Sequence, residues 1–291
     1  MHPQKFDGVF ALLLTPFHAD GTIDWNAYDH YVDWQLSHGP QGLFAVCGSS
    51  EMKWLTLDER LALARRAVDR AGDVPVVATA NLEEEVDAHA DEIERMAETG
   101  VAAVVLVPPQ GMGHEPERFA AYFAGLADNA PCPVILYEWP LRAPHLIPAD
   151  LYADLVHAHG VLGIKDTTCT LDGIRAKIDA APDSIVYQAN TPYLIEAIDM
   201  GARGIMAITS TAAADAVVYF WQAAQDHAPE TAQRHQSLVF LDALLRFGYP
   251  ATAKYLAAQR GILMEMHCRW PATFPAEAAK ALDLWLATQG T

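Results

Sequence analysis

Val161-Leu162-Gly163-Ile164-Lys165-Asp166-Thr167-Thr168 is an apolar run that ends in a lysine, turns polar and is followed by a helical stretch. A continuous apolar run of this length, bounded by polar residues, reads as a buried strand. A lysine at its polar end has two possible fates. It can cap the strand and send its ammonium to water. It can also be drawn into an enclosed cavity, where desolvation disfavours the charged form and lowers the pKa. A neutral amine there can attack a ketone and form a Schiff base.

The same unit, an apolar strand followed by an amphipathic helix, recurs on both sides of this stretch. Strands are expected at residues 9–14, 43–46, 74–78, 101–107, 134–137, 161–165, 184–187 and 204–208. Helices are expected between them, at 24–38, 56–70, 83–99, 116–127, 148–158, 171–180 and 192–200. Thr56-Leu57-Asp58-Glu59 has the pattern of a capping box. Glu83, Glu84 and Glu85 read as a solvated acidic helix start rather than a metal site. Strands that are apolar throughout, alternating with helices, indicate a parallel sheet covered by helices. Eight such units point to a closed (β/α)8 TIM barrel. Beyond residue 212 the strands stop, and four helices at 213–224, 232–247, 251–259 and 276–287 follow. The expected organisation is a catalytic barrel over residues 1–211 and a C-terminal helical extension over 212–291, packed on the barrel.

Composition agrees with a large core. Of 291 residues, 52% are hydrophobic and 19% charged, which argues against disorder. The net charge of −18 argues against nucleic-acid and anionic-membrane partners. No apolar run reaches membrane-spanning length, and residues 1–5 lack the apolar core of a signal peptide. Cys47, Cys132, Cys169 and Cys268 form neither a CxxC pair nor a zinc spacing, so a reduced, cytoplasmic chain is expected. No metal site is expected. His157-x-His159 is the nearest histidine pair, and it falls at a helix end on the wrong face of the barrel.

In such a barrel the working residues lie at the C-terminal ends of the strands. Those ends carry Cys47-Gly48-Ser49-Ser50-Glu51, Pro108-Pro109-Gln110, Tyr137-Glu138-Trp139-Pro140 with Arg142 beyond, Lys165 and Thr209-Ser210. Each alone has a plain structural reading: an ordinary turn for the serines, a core phenol for Tyr137, a surface cation for Arg142. Their convergence is what a keto-acid Schiff-base site requires.

On these residues the chain resembles the dihydrodipicolinate synthase / N-acetylneuraminate lyase family of class I, pyruvate-dependent aldolases. Gly163-Ile164-Lys165-Asp166 and Tyr137-x-x-Pro140 carry the resemblance most specifically. The turn Thr15-Pro16-Phe17, Asn190-Thr191-Pro192 and the Gly201–Met206 stretch extend it along the chain. The resemblance implies that Lys165 forms the imine, Tyr137 moves protons, and Ser49 and Ser50 hold the keto-acid carboxylate. It further implies that Arg142, Gln110 and Met206 face the substrate. No cofactor beyond the covalent imine is implied, and a homotetramer is. Three departures stand out. Glu138 and Trp139 replace the asparagine and valine of the family's Tyr-Asn-Val-Pro-x-Arg motif. The family loop Gly-(Ser/Thr)-Thr-Gly-Glu reads Cys47-Gly48-Ser49-Ser50-Glu51 here, with glycine at the first hydroxyl position. No tyrosine stands where the synthases place one after the fourth strand. The expected reaction is cleavage, formation or dehydration of a 2-keto acid of the 2-keto-3-deoxy sugar acid type. The alternatives are 4-hydroxy-tetrahydrodipicolinate synthase, and a barrel that binds a keto acid without turnover. Glu138 is left with two roles, binding sugar hydroxyls or pairing with Arg142.

Overall fold

The structure is a computed structural model that describes residues 6–289. Residues 1–5, expected to carry no leader, and residues 290–291 lie outside the described residues. The strands are β1 (Gly8–Leu12), β2 (Gly42–Val46), β3 (Val76–Thr79), β4 (Ala103–Leu106), β5 (Val134–Tyr137), β6 (Gly163–Asp166), β7 (Ile185–Gln188) and β8 (Gly204–Ile205). Each pairs in parallel with the next, and β8 pairs with β1, so the sheet closes. Every strand residue is buried, which is why the strands read as apolar runs rather than as alternating ones.

The helices α1 (Trp25–Ser37), α2 (Leu57–Ala71), α3 (His89–Ala97), α4 (Pro116–Asn129), α5 (Ala149–His159), α6 (Leu171–Ala180) and α7 (Leu194–Met200) alternate with the strands. The next helix, α8 (Ser210–Gln225), packs on β1 and completes the ring. Beyond it, α9 (Thr231–Leu245), α10 (Ala251–Gln259) and α11 (Ala276–Ala287) pack on α8 and on one another.

Aromatic rings fill the barrel's N-terminal half. A Cβ on Gly42 would lie 2.2 Å from the Phe10 ring, and one on Gly204 would lie 2.4 Å from the Tyr187 ring. These glycines make room for the two rings, which meet edge-on at 5.4 Å. Phe44 forms the next layer toward the strands' C-terminal ends and stacks edge-on against Tyr137 at 6.1 Å. The barrel is therefore a packed core below and can open only above.

One element starts later than the sequence suggests and one ends earlier. The acidic residues 83–85 do not open α3. Glu83 leaves the helix to pair with buried Arg60, and Glu92 on α3 pairs with the same guanidinium at 3.1 Å. Glu92 also accepts from the backbone N–H groups of Leu82 and Glu83. A buried arginine needs such partners, and that need outweighs the helical pattern. Likewise β8 pairs only at Gly204–Ile205, because residues 207–211 already turn into α8 through Ser210 N–H to Ala207 O and Thr211 N–H to Ile208 O.

Among the described residues no helix is long and apolar enough to cross a membrane. Nor do three or more His, Cys, Asp or Glu side chains gather there to hold a metal. His159 instead meets Asp128 at 2.8 Å.

Candidate active site

Parallel pairing puts Tyr137 of β5 beside Lys165 of β6 at the last rung of the ladder. Both side chains enter the barrel above Phe44. The Lys165 ammonium nitrogen lies 4.2 Å from the centre of the Tyr137 ring and 5.3 Å from that of Phe44. Lys165 is 4% exposed and has no carboxylate partner among the described residues. Burial pulls its pKa down to about 8. The same burial holds the Tyr137 phenol far above its ordinary range, so it is a protonated donor at neutral pH.

A cavity of about 430 Å³ opens over this pair. Lys165, Tyr137, Gly48 and Ser49 form its floor, and Trp139, Pro140, Leu141 and Ile208 part of its wall. The rest comes from the C-terminal helices and the segment between them: Arg246, Tyr249 and Trp270. A Cβ on Gly48 would lie 3.3 Å from both the Tyr137 hydroxyl and the Trp139 indole nitrogen. The indole thus crowds the place where the related loop carries a first hydroxyl.

Of the residues expected from the sequence, Lys165, Tyr137 and Ser49 come together on the cavity. Ser50, Gln110, Arg142 and Met206 do not line it. The Ser50 hydroxyl accepts from Cys47 N–H at 2.8 Å and donates to Ala45 O at 2.8 Å, so it knits the loop to β2. Gln110 is exposed and donates to Ala143 O. Arg142 reaches away to Leu82 O at 3.2 Å and lies 5.8 Å from the centre of the Trp139 ring. Met206 is fully buried in the core.

Glu138 takes neither of its expected roles. Its carboxylate accepts from Ile147 N–H and Thr167 N–H and pairs with Lys177 at 2.8 Å. Lys177, from α6, also pairs with Asp166 at 2.6 Å. Burial alone would lower the Lys177 pKa, but the two carboxylates outweigh it and keep the amine charged. The residues that follow Tyr137 and Lys165 are thereby tied to one cation.

Of the residues unseen in the sequence, Trp270 arrives through a second buried pair. Glu51, in the left-handed conformation at φ 61°, meets Lys254 of α10 at 2.7 Å, and both are fully buried. The other Glu51 oxygen accepts from Trp270 N–H at 2.7 Å, and Lys254 donates to His267 O. This pair clamps residues 267–270 against the loop after β2 and so delivers Trp270 to the cavity. Lys254→Met leaves Glu51 buried without its cation and should cost about 3–5 kcal/mol, read from urea unfolding. A loss under about 1 kcal/mol would show that the clamp is incidental. Arg246 follows α9 and is held by Asp242, whose carboxylate it meets at 2.6 Å and which also accepts from Thr191.

The profile of the dihydrodipicolinate synthetase family matches residues 5–284. The 4-hydroxy-tetrahydrodipicolinate synthase of Phenylobacterium zucineum is 30% identical over 288 residues, covering 97% of this chain and 96% of that one. The N-acetylneuraminate lyase of Rhizobium meliloti is 28% identical over 270 residues, covering 89% and 87%. Among solved structures, dihydrodipicolinate synthase DapA-2 of Bacillus anthracis superposes with a TM-score of 0.90 at 25% identity, over 97% of this chain and 98% of that one. YagE, a prophage protein of the same family from E. coli K12 solved with pyruvate, gives 0.90 at 23% identity, over 97% and 98%, a likeness of fold.

Proposed function

The chain belongs to the dihydrodipicolinate synthetase family and is an enzyme of the class I aldolase type; from that premise we propose that Lys165 forms an imine with a 2-keto acid and drives carbon–carbon bond cleavage or formation, or dehydration, beside it. The observation that carries this reading is a lysine at the C-terminal end of β6, buried without a carboxylate partner and 4.2 Å from the centre of the Tyr137 ring. An amine with a pKa of about 8 is partly neutral at physiological pH and can attack the keto carbon, losing water to form the imine. The protonated imine then accepts the electron pair of the adjacent bond. Tyr137, kept protonated by burial, supplies and recovers the proton. Ser49 and the backbone around it receive the carboxylate. No cofactor takes part in this scheme.

Sodium borohydride with pyruvate tests it. Reduction should leave a stable mass addition on Lys165, and an unmodified lysine would support the binding-only alternative. Because only the neutral amine attacks, the trapping rate should rise about tenfold per pH unit below pH 8 and level off above it. A rate independent of pH between 6 and 9 would contradict the assignment. Tyr137→Phe should lower kcat by about 10²- to 10⁴-fold while the adduct still forms. An unchanged kcat would remove Tyr137 from the mechanism.

Against the synthase alternative, Arg142 donates to Leu82 O rather than lining the cavity, and the cation that does line it, Arg246, is paired with Asp242. A 2-keto-3-deoxy sugar acid, the class expected from the sequence, would set its hydroxyls against Trp139, Leu141, Ile208 and Trp270. The homotetramer is carried into this proposal from the family resemblance, and native mass measurement tests it.

A further inference from the structure

Resting on the Schiff-base reading, we propose that the partner of the 2-keto acid at this site is an aromatic aldehyde rather than a polyhydroxylated or carboxylated one. The wall above Lys165 is built from Trp139, Leu141, Ile208, Tyr249 and Trp270. The aromatic rings among them stack on an aryl ring at about 4.5–7 Å. The alkyl and indole surface offers hydroxyl groups few partners, and the unpartnered Tyr249 hydroxyl lies toward Ser49. The wall is also held in place. Trp270 is fixed by its backbone bond to buried Glu51 and by its indole packing on Trp54, with ring centres 4.7 Å apart. Trp139 is 3% exposed and fits beside Tyr137 because position 48 carries no side chain.

The polar groups of the cavity are concentrated at the other end. Lys165, Tyr137 and Ser49, with the buried and unpartnered Tyr249 hydroxyl beside Ser49, are taken up by the keto acid itself. The remaining cation, Arg246, is more than half exposed at the rim, and Asp242 already answers its charge. An anionic aldehyde therefore meets a neutralised pair, and a sugar-like one meets indole and alkyl surface.

The chemistry balances without a co-reactant. Lys165 condenses with C2 of pyruvate and releases water. Loss of a C3 proton gives the enamine, and C3 forms a bond to the aldehyde carbon. The aldehyde oxygen takes a proton and becomes a hydroxyl. Water then hydrolyses the imine, freeing the lysine and a 4-hydroxy-2-keto acid with the aryl group on C4. Cleavage runs the same steps in reverse.

The test compares benzaldehyde, glyceraldehyde and aspartate semialdehyde as acceptors with pyruvate, alongside borohydride trapping of pyruvate alone. Benzaldehyde should have a kcat/KM at least about tenfold above either polar aldehyde. Trp270→Leu should narrow that preference several-fold, chiefly through KM for benzaldehyde. Trapping on Lys165 with equal or greater kcat/KM for a polar aldehyde, or with no benzaldehyde turnover, overturns the aromatic assignment alone. So does a preference untouched by Trp270→Leu. Absence of the pyruvate adduct overturns the Schiff-base reading and this inference with it.

Discussion

Lys165→Met is expected to abolish the pyruvate adduct, to lower turnover by on the order of 10⁴-fold or more, and to make the protein more stable at pH 7. The first two effects follow from removing the nucleophile. The third follows from proton linkage. Lys165 titrates at about 8 when folded against an ordinary 10.5, so between those values the unfolded chain binds more protons than the folded one. Stability contributed by this site therefore rises with pH through that window. The penalty of burying the amine is fully present below about pH 8 and gone above about 10.5. At about 1.36 kcal/mol per pKa unit it is worth about 3 kcal/mol. Methionine fills similar space without the charge. Urea unfolding at pH 7 should show the variant more stable by about that amount, with the gain shrinking at pH 10. A variant less stable than the parent at pH 7 would mean that the amine is paired or hydrated in solution.

The second large effect is expected at Lys177. Its ammonium lies between Glu138 and Asp166, both fully buried, at 2.8 and 2.6 Å. Lys177→Met leaves both carboxylates uncompensated and should cost about 3–5 kcal/mol at pH 7. Activity should fall as well, because Glu138 and Asp166 adjoin Tyr137 and Lys165 and their backbones would shift with them. The pH dependence has a definite sign. Burial already raises the Glu138 pKa, and without the cation it would rise further. The variant's folded state then binds more protons than its unfolded state, so its deficit should narrow as pH falls from 7 toward 5. A deficit that is small at pH 7, or constant with pH, would exclude the ion cluster as the brace of this face.

The expectations that held and those that failed differ in a physical way. The strands were legible because a parallel strand covered on both faces must be apolar at every position, which leaves an unbroken signature. Lys165 and Tyr137 were legible because each ends such a run, and the ladder then brings them side by side. Ser50, Gln110, Arg142 and Glu138 were misplaced because residue type and proximity to a strand end do not decide where a side chain points. Ser50 turns back on Cys47 and Ala45, and Glu138 turns to Lys177, 39 positions along the chain from it. Arg246, Tyr249 and Trp270 were missed for a related reason. They lie in a helical region without strand ends, where nothing in the sequence singles them out.

The sequence by itself determined the barrel, its order of units and the lysine–tyrosine pair, because burial on a regular repeat imposes residue patterns that survive in one dimension. Only the tertiary structure decided what surrounds that pair. Buried charges at Glu51 and Lys254, and at Glu138, Asp166 and Lys177, had to find partners across the chain. The geometry of those pairings carries Trp270 to the cavity and holds Glu138 away from it.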